Sequence, residues 1–283
     1  MTEKAEIFEV GPRDGLQNEK AMIATADKVH LVDLLSACGF RRIEVASFVS
    51  PKWVPQMADS TEVLGGITRL PGISYAALTP NLRGFEGAAQ AKADEIAIFA
   101  SASEGFSKAN INCTVAESIE RFRPVTQTAA EIGLPVRGYV SCVTDCPYDG
   151  PTAPGDVARV CNALADLGCY EISLGDTIGQ ATPETVDVML TAVLSGLPPS
   201  KLAGHFHDTS GRALDCIDVS LDRGLRVFDA SVAGLGGCPY APGASGNVAT
   251  EAVHDRLTAR GFDTGLDPAK LSVAAQFAKG LVS

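Results

Sequence analysis

Gly204-His205-Phe206-His207-Asp208-Thr209 sets two imidazoles two residues apart. On an extended backbone such a pair projects to one side, because side chains alternate faces along a strand. At the carboxyl end of a strand, both rings can offer nitrogen to one metal ion. The plainer reading makes one histidine a core residue and the other a turn residue, and His-x-His spacing alone does not choose. Near the other end of the chain, Arg13 and Asp14 put a cation and a carboxylate side by side. Asp14 could give the same ion a hard anionic oxygen, or be a turn carboxylate before Gly15. Asn247 could add a neutral carbonyl oxygen, cap a helix opening at Ser245-Gly246-Asn247, or do both. A mixed nitrogen and oxygen set without thiolate favours Mg2+ or Mn2+ with positions open to substrate oxygens, and Zn2+ is also compatible.

Arg13 reads either as a surface ion-pair partner of Asp14 or as a fixed positive fork for an oxyanion or carboxylate. Glu44 and Asp176 lie where strands should end. There they either orient Arg13 and the histidines or make ordinary strand-end hydrogen bonds. Gln17 and Ser47 are candidates for substrate contact. The loop Gly234-Leu235-Gly236-Gly237-Cys238-Pro239-Tyr240-Ala241-Pro242-Gly243 combines glycines that let the backbone swing with prolines that stiffen its return. That composition suits a lid carrying Cys238 into a closing site. A thiol of reference pKa ~8.5 can exchange protons near neutrality beside a cation.

These groups need a scaffold that gathers them. Strand-like runs are expected at 5–10, 42–46, 73–78, 94–100, 134–141 and 169–174, then one ending at His205 and one at 225–232. Between them, three-four periodicity predicts helices, the first capped by Thr25 or Asp27, others over 60–70, 81–92, 115–132, 156–167, 183–195 and 212–223. A further helix should open near Asn247. Residues 101–113 and 142–154 read as long loops, and a terminal helix starts at Pro268. About eight such repeats predict an α/β fold, a (β/α)8 TIM barrel formed by one domain over 1–283 with a short C-terminal helical extension. A doubly wound sheet has fewer alternations and calls for a Gly-x-Gly-x-x-Gly after its first strand, which this sequence lacks. In a barrel, catalytic groups gather on the carboxyl-end loops. The candidates above all follow or close strands, whereas the turns at Gly39, Gly133 and Gly168 carry nothing comparable.

A formal net charge of -11 argues against a nucleic-acid-binding surface. Apolar runs are short and interrupted by charge, so no membrane span is expected. The start of the chain shows neither a signal-peptide core nor an Arg-rich transit segment. Eight scattered cysteines without a paired Cys-x-x-Cys frame read as free thiols in a reducing compartment. The expectation is a cytoplasmic protein.

Longer stretches carry a resemblance. They are Gly11-Pro12-Arg13-Asp14-Gly15-Leu16-Gln17-Asn18-Glu19-Lys20, Ser47-Phe48-Val49-Ser50-Pro51-Lys52-Trp53-Val54-Pro55-Gln56, Arg137-Gly138-Tyr139-Val140-Ser141-Cys142, Gly168-Cys169-Tyr170-Glu171-Ile172-Ser173-Leu174-Gly175-Asp176-Thr177, and the loop from Gly234 to Asn247. In these the chain resembles the 3-hydroxy-3-methylglutaryl-CoA lyase family, within the metal-dependent lyase-aldolase TIM barrels. The resemblance implies retro-Claisen cleavage of that acyl-CoA to acetyl-CoA and acetoacetate, by a homodimer. It also implies that Asp14, His205, His207 and Asn247 bind the metal, that Arg13 is the catalytic arginine and Cys238 the catalytic loop cysteine. Glu44 and Asp176 match acidic positions that support substrate and metal. Ser210-Gly211-Arg212 departs from the Tyr-Gly-Gln of many relatives beside the metal positions. That departure leaves the acyl-chain preference open to a longer or branched 3-hydroxyglutaryl-CoA, but not the reaction class. A Claisen-type synthase, the other alternative, would share the His-x-His and Arg-Asp-Gly elements, and the cysteine loop fits cleavage better. With no phosphate cradle visible, the CoA tail is expected on mouth loops and on cations such as Lys52 and Lys108.

Overall fold

The first strand shows how the site residues come to be fixed. β1 (Glu6–Glu9) runs straight into one π-helical turn, Gly11–Gly15, with proline at its start. Pro12 has no N–H to extend the ladder. The N–H groups of Arg13, Asp14 and Gly15 instead all converge on the Val10 carbonyl, at 2.7–3.2 Å. Arg13 and Asp14 thus sit in a hydrogen-bonded turn of a type frequent at functional sites.

A computed structural model describes residues 2–236 and 246–282. In it seven further strands follow, β2 (Arg42–Ser47), β3 (Ser74–Leu78), β4 (Glu95–Ser101), β5 (Val136–Ser141), β6 (Glu171–Asp176), β7 (Leu202–Phe206) and β8 (Val227–Ala230). All pair in parallel and in chain order, and β1 closes the ring against β8, Glu6 opposite Val227 and Glu9 opposite Ala230. This is the (β/α)8 barrel expected from the alternation of elements.

The helices outside are α1 (Thr25–Ser36), α2 (Ser60–Gly66), α3 (Leu82–Gln90), α4 (Glu104–Ile111), α5 (Val115–Glu131), α6 (Pro154–Asp166), α7 (Pro183–Val193), α8 (Ala213–Asp222), α9 (Thr250–Ala259) and α10 (Pro268–Leu281). Their starts follow local chemistry. Thr114 and Glu117 form a reciprocal capping box on α5, and Asn81 caps α3. Each buries one stripe; on α7 it is Val186, Met189, Leu190 and Val193, the spacing of a helix lying on a sheet. α10 packs on α1, with Phe277 edge-on to His30 at 4.7 Å.

Four local expectations need correction. Ala24, not Thr25 or Asp27, takes the cap position of α1, because the Thr25 hydroxyl is spent on Asp59 across the helix pair. Residues 101–113 are not a plain loop: Ser103 caps α4, whose largely polar surface conceals a helix that buries only Phe106 and Ser107. The 142–154 loop contains a small hairpin, Asp145–Cys146 against Gly150–Pro151. Asn247 does not open α9; Ala249 takes the cap position and the helix starts at Thr250.

The barrel interior is ionic where such barrels usually hold branched aliphatic side chains. Arg137 donates to Glu171 (2.7 Å) and to both Asp229 oxygens (2.7 and 3.1 Å). Arg42 donates to Glu171 (2.9 Å) and Glu6 (2.6 Å). The Phe8 ring lies 4.2 Å from the Arg137 guanidinium and 4.9 Å from that of Arg42. Isolated buried charges would cost several kcal/mol apiece, and pairing is what makes this interior tolerable.

Candidate active site

At the carboxyl end of the barrel a cavity of about 820 Å³ is lined by Arg13, Asp14, Gln17, His205, His207 and Asn247, among others. The β1 turn delivers Arg13 and Asp14. The end of β7 delivers the histidines, His205 within the strand and His207 in an isolated bridge to Asn247. That bridge, with the Asp208 N–H donating to the Gly246 carbonyl at 2.6 Å, lays residues 246–248 along the tip of β7. Gly236 makes this approach feasible. Its φ is +101°, and a Cβ there would stand 2.8 Å from the Asn247 amide nitrogen.

Asp14, His205 and His207 each offer one ligand atom, and the three lie within 4.8 Å of one another. The donor set, one anionic oxygen and two imidazole nitrogens without thiolate, suits a divalent cation. Among the described residues the buried Nδ1 of His207 has no hydrogen-bond partner, which a packed core would not leave without reason. Burial and the neighbouring His205 push the His207 pKa down to about 4, so the ring is neutral and able to ligate at physiological pH. Burial works against the Asp14 carboxylate, but Arg13 and both histidines hold its pKa down to about 2. Asn247 donates its amide hydrogens to Asp14 (2.9 Å) and the Leu235 carbonyl (3.2 Å). No hydrogen bond among the described residues engages its Oδ1, so its carbonyl end can still face an ion. These residues fit a divalent metal.

Arg13 is buried and gripped on two sides. Its Nη1 donates to Asp14 at 2.5 Å, and its Nε donates to Glu44 at 2.6 Å. The Tyr139 ring centroid lies 5.7 Å from the guanidinium carbon. Burial pushes the Glu44 carboxyl upward against the pull of Arg13, and among the described residues its second oxygen has no partner. Glu44 therefore underpins Arg13 from below without lining the cavity. Ser47 is fully buried; its backbone N–H and carbonyl are both tied to the Ser60 hydroxyl, and it does not line the cavity either.

Asp176 makes strand-end hydrogen bonds. As the last residue of β6 it accepts from the N–H groups of Gln180 (3.2 Å) and Ala181 (3.0 Å), ordering the loop that leads to α7. The carboxylate on His205 is Asp229, whose Oδ2 is 3.2 Å from Nδ1. Sequence reasoning passed over Asp229 and quoted Arg137 within a motif without giving it a role. The available signal was a lone charge of opposite sign inside each of two apolar strands, Phe228-Asp229-Ala230 and Val136-Arg137-Gly138. Cys238 lies outside the described residues. Lys52 and Lys108 do not line the cavity, whereas Arg121 does.

Glu9 ties the mouth together from beneath. One oxygen accepts from the N–H groups of Gly11 and Val232, both at 2.8 Å, and the other from the Thr250 hydroxyl at 2.7 Å. Burial pushes its pKa up to about 7 despite these bonds.

Fold and site together define a TIM-barrel enzyme able to hold a divalent cation beside a carboxylate-clamped arginine. The chain belongs to the HMGL-like family, whose profile matches residues 4–278. It is 56% identical over 276 residues to the 3-hydroxy-3-isohexenylglutaryl-CoA/hydroxy-methylglutaryl-CoA lyase of Pseudomonas aeruginosa, covering 98% of this chain and 92% of that one. The crystal structure of the HMG-CoA lyase from Brucella melitensis superposes with a TM-score of 0.98 at 62% identity, covering 99% of each chain. An Acinetobacter baumannii HMG-CoA lyase solved with coenzyme A and 3-methylmalate superposes with a TM-score of 0.93 at 38% identity, over 99% of this chain and 91% of that one. Among the described residues no helix is long and apolar enough to cross a membrane.

Proposed function

We propose that the chain is a hydroxymethylglutaryl-CoA lyase that uses Mg2+ or Mn2+ to cleave 3-hydroxy-3-methylglutaryl-CoA into acetyl-CoA and acetoacetate. The observation that carries this reading is the meeting of Asp14, His205 and His207 beside Arg13 at one cavity mouth. Those three residues, with the Oδ1 of Asn247, would hold the cation. When bound, it supplies Lewis-acid polarisation of substrate oxygens, worth several kcal/mol in reactions of this kind.

The rest falls to the chain's own side chains. The substrate's hydroxyl proton passes to a base of the site, Asp14 or one of the two histidines, and the C2–C3 bond then breaks, so that the hydroxyl carbon becomes the ketone of acetoacetate. The bonding electrons pass to the acetyl-CoA enolate. Arg13, immobilised by Glu44 and Asp14, meets charge developing on the thioester oxygen; donors of this kind are worth about a hundredfold or more in rate. Cys238 returns the proton to the enolate carbon, a role carried over from the resemblance. Gln17 faces the same cavity and contacts the acyl portion.

The test is acetoacetate release by the purified chain after chelation, then with Mg2+ or Mn2+ restored. Activity should vanish on stripping and return with the ion, and full activity in the chelated protein would sink the proposal. A second reading is favoured by the Pseudomonas relative, whose name pairs the methyl substrate with a longer, branched one. A cavity of about 820 Å³ is near the upper end for small-molecule sites and leaves space for such a chain. Comparing kcat/KM for the methyl and isohexenyl substrates decides between them. A homodimer is also proposed, to be checked by sedimentation.

A further inference from the structure

We infer that Asp229 is a positioning residue for the metal centre: it holds His205 in the tautomer that leaves Nε2 to ligate the divalent cation. The inference rests on the metal-dependent reading above. Asp229 and His205 are direct register partners on β8 and β7, so their side chains meet on one face. Asp229 Oδ2 lies 3.2 Å from His205 Nδ1 and also accepts from the Ser173 hydroxyl (2.7 Å) and Arg137 Nη1 (3.1 Å). Its Oδ1 accepts from Arg137 Nη2 at 2.7 Å. A carboxylate gripped by both arms of a guanidinium only accepts hydrogen bonds. Nδ1 of His205 must therefore carry the hydrogen, and in a neutral imidazole that places the lone pair on Nε2.

The clamp cannot turn aside. Arg137 is fixed in turn by Glu171, and its guanidinium carbon lies 4.2 and 4.9 Å from the Phe8 and Tyr139 ring centroids. His207 is a contrast within the same site, since its Nδ1 is buried without any such partner. Among the described residues, a carboxylate dictates the ring orientation of His205 from below and none does so for His207. Carboxylates in this relation to a ligating histidine set both its tautomer and its angle, and their loss commonly weakens metal binding.

Two measurements test this on the full-length chain. Long-range proton–nitrogen correlation on uniformly labelled, metal-free protein, with His205→Asn used to assign the signals, should show the Nδ1–H form of His205; an Nε2–H form would overturn the inference without recourse to any Asp229 variant. Titration calorimetry with Mn2+ should show Asp229→Asn binding about 10- to 100-fold more weakly than the parent, below the melting temperature of both. A purely structural role would lower the melting temperature and leave the Mn2+ dissociation constant of the folded variant within about twofold, which would also overturn it. If the parent itself fails to bind Mn2+, the metal-dependent reading falls with it. Binding by the parent and unaltered binding by Asp229→Asn would sink the positioning role alone.

Discussion

Arg13 illustrates how a residue can be both functional and structurally committed. Its guanidinium answers Glu44, a fully buried carboxylate with one oxygen already unpartnered. Arg13→Met should therefore do two things at once. Turnover should drop by about a hundredfold or more through loss of the oxyanion donor. Stability should fall by about 3 kcal/mol, because the remaining charge is left buried and alone. Adding Glu44→Gln should recover much of the stability, read by urea unfolding, and none of the turnover. Recovery of activity in the double variant would remove Arg13 from the chemistry. Arg13 and Asp14 were legible in the sequence because they are adjacent just past a strand-like run, and the histidine pair because its spacing follows strand alternation. Asp229 was not, since the donor that fixes it, Arg137, is 92 residues away and each reads locally as an odd charge in an apolar run. Asp176 was ambiguous for a different reason. A strand-end carboxylate looks the same in sequence whether it meets a ligand or, as here, backbone N–H groups.

At the level of elements, the turn after β1 depends on Glu9, which joins that turn to the residues after β8 and to the start of α9. Burial raises this carboxyl from its ordinary 4.5 to about 7. The folded protein thus binds the proton more tightly than the unfolded chain does. The resulting stabilisation is full below about pH 4.5 and is lost as pH rises through about 7, a change on the order of 3 kcal/mol. Glu9→Gln removes the titration, so the stability of the parent relative to this variant should decline between pH 5 and 8. Urea midpoints that keep a constant difference over that interval would reject the assignment. The strands and most helices were readable because one face of each is consistently apolar. α4 was not: it buries too little for periodicity to stand out among polar residues. The start of α9 was displaced because Asn247 spends its side chain on Asp14 and the Leu235 carbonyl rather than on the helix.

Across the whole molecule, the charged lining of the barrel is a stability liability balanced by pairing. Arg137 is the hub: it grips both oxygens of Asp229, whose other partners are Ser173 and His205, and it shares Glu171 with Arg42. Arg137→Met should cost about 3–5 kcal/mol in urea unfolding, with little relief from added salt because the stranded charges are out of reach of counterions. A loss under about 1 kcal/mol would mean that water enters the barrel and solvates them.

The bond from Asn247 to Asp14 joins residues 233 positions apart, and β1 finds its second neighbour only in β8. During synthesis, at about 5–20 residues per second, the amino-terminal strand must wait roughly tens of seconds with one edge bare. An ion arriving on a ribosome-bound fragment would find the aspartate but neither imidazole. Loading is thereby postponed until translation is nearly over, and stalled fragments should be prone to pair with each other through that open edge.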